Sequence, residues 1–146
     1  MNDNGDENGA IEARWSAPPH AYCKVNVDAS WEGGSKLTGL GVVVWNSNAM
    51  CLGSSCNTRL AGLAIEAEAH AALSGVHLAA QIGISHVVFE SDSKELVQFV
   101  KGHIQKSRWT IFPILIAIQR VCSGFNLCSW NWVHHGANKV ADAAAS

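Results

Sequence analysis

The segment from Leu63 to Gln81 constrains the fold most. It is rich in Ala and Leu, and Gly83 follows it as a helix-stop signal. Within it Ala64, Ala71, Ala72, Gly75 and Ala79 form one stripe of small residues at helical spacing. Such a stripe is the face of a helix that packs closely on a sheet. Glu68 lies among those small neighbours, where a lone carboxylate would be costly to bury without a partner. Glu66 turns about 200° away from it on the helix and is expected to face water.

The strands for that sheet are legible on either side. Tyr22–Asp28 alternates, with Cys23, Val25 and Val27 on one face and Lys24, Asn26 and Asp28 on the other. A turn over Ser30–Lys36 holds Gly33-Gly34, and Leu40–Trp45 is a second, β-branched run closed by Asn46-Ser47-Asn48. Ala49–Asn57 is a third. Short links between them predict an antiparallel meander. After the helix, Val87–Phe89 is a compact apolar strand running into Glu90-Ser91-Asp92-Ser93. Ser93 is placed to cap a helix over Lys94–Lys101. Trp109–Val121 reads as a further helix with Pro113 in its first turn. Phe125–Val133 is a fifth strand, and Asn138–Ser146 a short Ala-rich helix. The expected fold is α/β: a five-stranded mixed sheet, three antiparallel strands then two parallel ones, flanked by helices.

Composition sets outer limits. A chain of 146 residues that is 48% apolar and 15% charged suits one packed domain. Residues 1–14 are expected to form a disordered leader, with the domain over 15–146; Trp15–Pro19 reads as an extended lead-in. The net charge is −2, but Asp3, Asp6, Glu7 and Glu12 all fall in the leader. The five cysteines contain no CxxC pair and follow no secretory signal, so they are read as reduced, mostly buried thiols of an intracellular protein. The most apolar stretch, Ile111–Ile118, contains Pro113 and is too short to span a bilayer.

Four carboxylates stand where packing alone would not put them. Asp28 and Asp92 each close a short apolar strand, Glu68 lies in the small-residue stripe, and Asp142 sits among alanines on the last helix. Any one of them is ordinary by itself: an Asp at a strand end is usually a turn or cap residue, and a Glu in a helix is usually solvated. Together they suit two-metal phosphodiester hydrolysis. Hard divalent cations favour carboxylate and water oxygens, and two of them can activate a water and stabilise a leaving oxygen. Bound cations would also turn a mildly acidic chain positive where a nucleic acid has to sit.

The phrases Lys24–Ser30, Gly41–Val44, Glu68–Val76, Val87–Ser93 and Ala137–Ala143 occur in that order. With them the sequence resembles the ribonuclease H type 1 family, and in particular the reverse-transcriptase-associated ribonuclease H-like domains of plants. The resemblance covers roughly Trp15–Ser146. It implies an enzyme that cleaves the RNA strand of RNA–DNA hybrids with two Mg²⁺ or Mn²⁺ ions. It implies Asp28, Glu68 and Asp92 as the metal-binding and catalytic core and Asp142 as a fourth, more mobile ligand. It offers Ala29, Ser30 and Ser93 as contacts to substrate 2′-hydroxyls. A monomer is expected.

Three departures from the family pattern stand out. The loop that carries a His in that family is short here, and His134 or His135 is the candidate to stand in; otherwise both are exposed loop residues. The long basic grip of cellular relatives is replaced by the brief Gly102–Trp109. The last helix is truncated after Asp142. An alternative function is therefore a nucleic-acid-binding module descended from a retroelement, with weak or no turnover. Among the tryptophans, Trp130 and Trp132 share a strand face and are expected to pack against a helix, while Trp31 is the candidate for substrate contact.

Overall fold

The computed structural model describes residues 14–102 and 109–146. The expected leader therefore lies outside the described residues apart from Arg14, as does most of the link over Gly102–Trp109. Five strands, β1 (Cys23–Trp31), β2 (Leu37–Trp45), β3 (Cys51–Leu60), β4 (His86–Ser91) and β5 (Leu127–Trp132), form one sheet in the order β3-β2-β1-β4-β5. β1, β2 and β3 are antiparallel neighbours, while β4 runs parallel to both β1 and β5. Among the described residues the α-helices are α1 (Ala64–Ile82), α2 (Lys94–Lys101), α3 (Phe112–Cys122) and α4 (Lys139–Ala145). The expected five-stranded mixed sheet is the one observed.

The small-residue stripe does what its composition requires. A side-chain carbon added to Gly75 would meet Val27 Cγ1 at 2.5 Å, with Val25 and Val42 close behind. The helix axis therefore sits against the sheet with no room for another methyl group, and Ala71, Ala72, Val76 and Ala79 are wholly buried. Gly83 ends α1 in the left-handed region at φ 88°, its N–H bonded to carbonyls of the last turn. Ala64 departs from the expected stripe and is exposed at the first turn.

α4 covers the opposite face of β1 and β2. Carbons added to Gly39 or Gly41 would collide with the backbone of Ala145 or Ala141 respectively, so this helix too lies directly on the strands. It is preceded by a 3-10 turn over His135–Asn138, where one continuous helix from Asn138 was expected. The other differences are local. α3 starts at Phe112, leaving Trp109 91% exposed in the turn before it. No cysteine is fully buried: Cys51 and Cys56 are exposed on β3, and Cys23, Cys122 and Cys128 are half-buried. Among the described residues β3 pairs with β2 alone and is exposed along most of its length, its two thiols included. No helix of the described residues is long and apolar enough to cross a membrane.

Candidate functional site

β1 is buried on both faces, and the two faces differ in chemistry. Val25 and Val27 meet α1, whereas Lys24, Asn26 and Asp28 point toward α4 and are 6%, 2% and 5% exposed. Burial of that polar row is offset by hydrogen bonds. Asn26 Nδ2 donates to Glu90 Oε1 at 2.9 Å and to Asn138 Oδ1 at 3.0 Å, and Asn26 Oδ1 accepts from Trp15 Nε1 at 2.9 Å. Lys24 Nζ lies 3.0 Å from Glu90 Oε2 and donates to Ser16 O at 2.6 Å. Asn138 Nδ2 donates to Val27 O at 2.8 Å. Sequence reasoning missed this network. Its available signal was a Lys and an Asn on the inward row of a central strand.

The parallel ladder between β1 and β4 ends at the pair Asn26 and Glu90. Asp28 and Asp92 each follow by two residues, so both carboxylates emerge on the same side where the pairing stops. Asp28 does not end its strand as expected; β1 continues to Trp31 through its antiparallel pairing with β2. Asp28 Oδ1 accepts from the Ala29 N–H at 2.9 Å. Asp92 is held from behind by Trp132, whose Nε1 donates to the Asp92 carbonyl at 3.1 Å.

The loop histidines separate cleanly. His135 Nδ1 lies 2.6 Å from Asp92 Oδ2, and its Nε2 lies 3.7 Å from Asp142 Oδ2. His134 instead packs edge-on against Trp132. The structure thus brings Asp28, Asp92, His135 and Asp142 together, and α1 carries Glu68 to the same place. Glu68 Oε1 is buried with no hydrogen-bond partner among the described residues.

The electrostatics follow from burial and crowding of the inner carboxylates. Burial, followed by the charges of Asp28 and Asp92, pushes Glu68 up to about 9. Burial, then Asp92, pushes Asp28 up to about 7, against the opposing pull of the Ala29 N–H. The hydrogen bond to Asp92 raises His135 above an ordinary histidine. Glu68 and Asp28, pushed toward the neutral form by burial and then by neighbouring carboxylates, mark a site that favours added positive charge. Asp28, Asp92 and His135 each offer a ligand atom within 4.8 Å of the others, and Glu68 adds an unpartnered buried oxygen. A hard divalent cation fits that donor set.

The expected substrate contacts are partly committed elsewhere. The Ala29 N–H is used by Asp28, and Ser30 Oγ donates to Ala145 O at 2.8 Å. Ser93 Oγ accepts the Leu96 N–H as the α2 cap, a bond that leaves its own proton free. An open cavity beside Glu68 is lined by Ala29, Trp31, Ile65, Ser93 and Glu95. Trp31 reaches this wall with its Nε1 bonded to Ala61 O at 2.9 Å. Trp130 is buried and stacked on Phe89, with centroids 4.5 Å apart. Trp132 is not packed inward as expected: it is 41% exposed, with Lys94 Nζ over its ring.

Comparison with known proteins adds a family, a relative and several solved structures. A family model described as reverse transcriptase-like matches residues 26–146. An Arabidopsis thaliana protein named "Putative ribonuclease H protein" is 30% identical over 137 residues, a match covering 90% of this chain and 21% of that protein. The chain thus spans about a fifth of the relative's length. Among solved structures, the N-terminal ribonuclease H domain of a Mycobacterium tuberculosis protein superposes with TM-score 0.80 at 22% identity, covering 85% of this chain and 90% of that one. Ribonuclease H1 of Halobacterium salinarum gives 0.80 at 18% identity, over 85% and 94%. A ribonuclease H1 solved in complex with an RNA/DNA hybrid gives 0.76 at 16% identity, over 84% and 93%. At such identities the structural likeness speaks for the fold.

Proposed function

The chain belongs to the reverse transcriptase-like family, and from that premise we propose that it is a metal-dependent endonuclease hydrolysing the RNA strand of RNA–DNA hybrids. The observation that carries this reading is the meeting of Asp28, Asp92 and Glu68, with one Glu68 oxygen buried and unpartnered. A purely structural carboxylate in that position would be expected to have a hydrogen-bond donor.

Asp28, Glu68 and Asp92 would hold the inner ligand set for two Mg²⁺ or Mn²⁺ ions, with Asp142 as the fourth ligand. Bound there, such ions supply water activation and neutralise charge building on the scissile phosphate. The chain's own groups do the rest. The Ala29 N–H fixes the Asp28 carboxylate, and Trp132 fixes the backbone of Asp92. Asp142, half-exposed on a short helix, has freedom to shift its contacts between steps. His135 is the proton carrier, with one ring nitrogen toward Asp92 and the other toward Asp142. The free Ser93 hydroxyl proton is suited to a substrate 2′-hydroxyl, the group that separates RNA from DNA. Trp31 offers an apolar wall for the strand beyond.

The test is cleavage of a labelled RNA–DNA hybrid by the purified chain, with Mg²⁺, with Mn²⁺ and with chelator, beside Asp28→Asn. Metal-dependent cutting of the RNA strand that disappears in the variant is the expected result. A folded chain that binds hybrid and cuts with neither metal would instead be a nucleic-acid-binding module.

A further inference from the structure

β3 leaves one side of its backbone unpaired among the described residues, and two bonds near the strand ends fix which residues face outward. The Ala61 N–H donates to Lys36 O at 2.9 Å, and the Glu32 N–H donates to Leu37 O at 3.3 Å. Opposed residues of an antiparallel pair alternate between bonded and unbonded positions. Followed along the register from those bonds, Gly53, Ser55, Asn57 and Arg59 turn their N–H and C=O groups toward β2. Ser54, Cys56, Thr58 and Leu60 therefore turn theirs away. The shift of register between Val44 and Trp45 lies beside Leu52 and leaves Gly53–Leu60 regular.

The side chains divide in the same way. A carbon added to Gly53 would meet Ile82 Cδ1 at 3.1 Å, and Arg59 Nη1 lies 3.0 Å from His70 Nδ1, so that row faces α1. The other row, Leu52, Ser54, Cys56, Thr58 and Leu60, lies on the α4 side and is exposed throughout. α4 stops short of it, with an open hollow between Cys56 and Thr58 on one side and Ala145 and Ser146 on the other. Edge strands are ordinarily protected by a lysine, a proline or an inward-pointing charge. β3 has neither lysine nor proline, and its one charged residue, Arg59, is engaged with His70 on the other face.

We propose that β3 pairs with β3 of a second copy of this chain, antiparallel about a two-fold axis at Cys56, joining two sheets into one dimer in place of the expected monomer. The row itself indicates that occupant. From Cys56 it runs to a hydroxyl and then a leucine in both directions: Ser54 and Leu52 one way, Thr58 and Leu60 the other. Two-fold pairing sets Ser54 against Thr58 and Leu52 against Leu60 of the other copy, with the two Cys56 residues facing each other at the axis. The outward N–H and C=O groups of Ser54, Cys56 and Thr58 then find partners. Moving the axis to Ser55 or Asn57 would set a leucine against a hydroxyl. Arg59 meets Gly53 of the other copy, so no like charges stand directly opposite.

The test is sedimentation equilibrium over a rising concentration series, with amide exchange followed at each concentration. The average mass should climb from one chain toward two, and the Ser54, Cys56 and Thr58 amides should slow as it climbs. A short bismaleimide should then join Cys56 to Cys56 between copies. It should not join Cys51 to Cys51, which the pairing holds roughly 30 Å apart. Thr58→Pro removes an outward N–H and no bond to β2, so it should remain a monomer where wild type is dimeric. The wild-type measurements do not depend on that variant folding. A monomer at every concentration would overturn the proposal. So would edge amides equally protected in the monomer, which would mean that a segment of the same chain covers β3. A dimer that fails to cross-link through Cys56 would place the contact on another surface and overturn it as well.

Discussion

Asp28 on β1 and Asp92 just past the end of β4 occupy equivalent positions, each two residues past the last pair of the parallel ladder, Asn26 with Glu90. Parallel pairing carries both side chains out on one face, and the end of the ladder leaves them facing each other with no backbone bond between. His135 answers the resulting negative charge from the 3-10 turn before α4.

Replacing Asp92 tests that relationship by two independent readouts. Asp92→Asn keeps the side chain's shape and removes its charge. Hybrid cleavage should fall about a hundredfold or more, with the metal-free fold retained or slightly stabilised. The His135 titration, followed by proton NMR, should move down toward the ordinary histidine range because the partner that raises it is gone. An unfolded variant, or one with unchanged cleavage, would remove Asp92 from the site.

Glu68 and Asp28 fix the sign of the metal-free pH profile. Both are held above their ordinary values, Glu68 at about 9 and Asp28 at about 7. Between about pH 4, where the unfolded chain ionises them, and about pH 9, the native state holds protons that the unfolded state has released. Stability must therefore fall as pH rises through that window. Urea unfolding in chelator should show the decline, and Glu68→Gln should flatten it and add at least about 1 kcal/mol at pH 8. A flat wild-type profile would mean that Glu68 is not buried among carboxylates.

The two loop histidines make a paired comparison. His135 contacts Asp92, whereas His134 packs on Trp132. If His135 carries a proton in turnover, His135→Ala should lower kcat about a hundredfold and flatten the acid limb of its pH profile. His134→Ala should stay within about twofold, since it removes only an exposed aromatic contact. Equal losses would mean that the loop acts as a unit.

Gly41 pairs with Asp28 across β1 and β2 and lies under the Ala141 carbonyl of α4. Gly41→Ala forces backbone against backbone, where no side chain can turn aside. Overpacking of this kind costs about 1–3 kcal/mol, measurable as a lower urea midpoint. Hybrid cleavage should fall further than the unfolded fraction accounts for, because α4 carries Asp142.

The five strands of the mixed sheet, the helix with its small stripe and the capping of α2 by Ser93 were legible in the sequence, because each element rests on local periodicity, short links or a local cap. The meeting of Glu68 with Asp28 and Asp92 was legible for a related reason: a carboxylate in a small-residue stripe is carried against the sheet, where it needs a partner or a cation. The choice between His134 and His135 was not, because it depends on how a 3-10 turn rotates two adjacent side chains. Nor was the difference between Trp130 and Trp132. They share a strand face, but Trp130 lies over Phe89 in the core while Trp132 lies at the rim beside Lys94. Strand parity supplies the face, and the neighbour at each position decides burial.

Asn138 gives the sharpest test of what holds the site in place. Its side chain donates to Val27 O at 2.8 Å and accepts from Asn26 at 3.0 Å, all three residues being buried. It stands between the 3-10 turn bearing His135 and the helix bearing Asp142. Asn138→Ala removes a donor from Val27 and an acceptor from Asn26 in a region closed to water, at a cost of about 1–3 kcal/mol. Asn138→Asp should cost more at neutral pH. It replaces the amide N–H donors with a negative charge in a network that already holds Glu90 against Lys24. Urea unfolding of the two variants gives the order. Cleavage at a temperature where both remain folded should drop in parallel with the loss of His135 and Asp142 placement. If Asn138→Ala were as stable as wild type, the buried network would not be what positions α4.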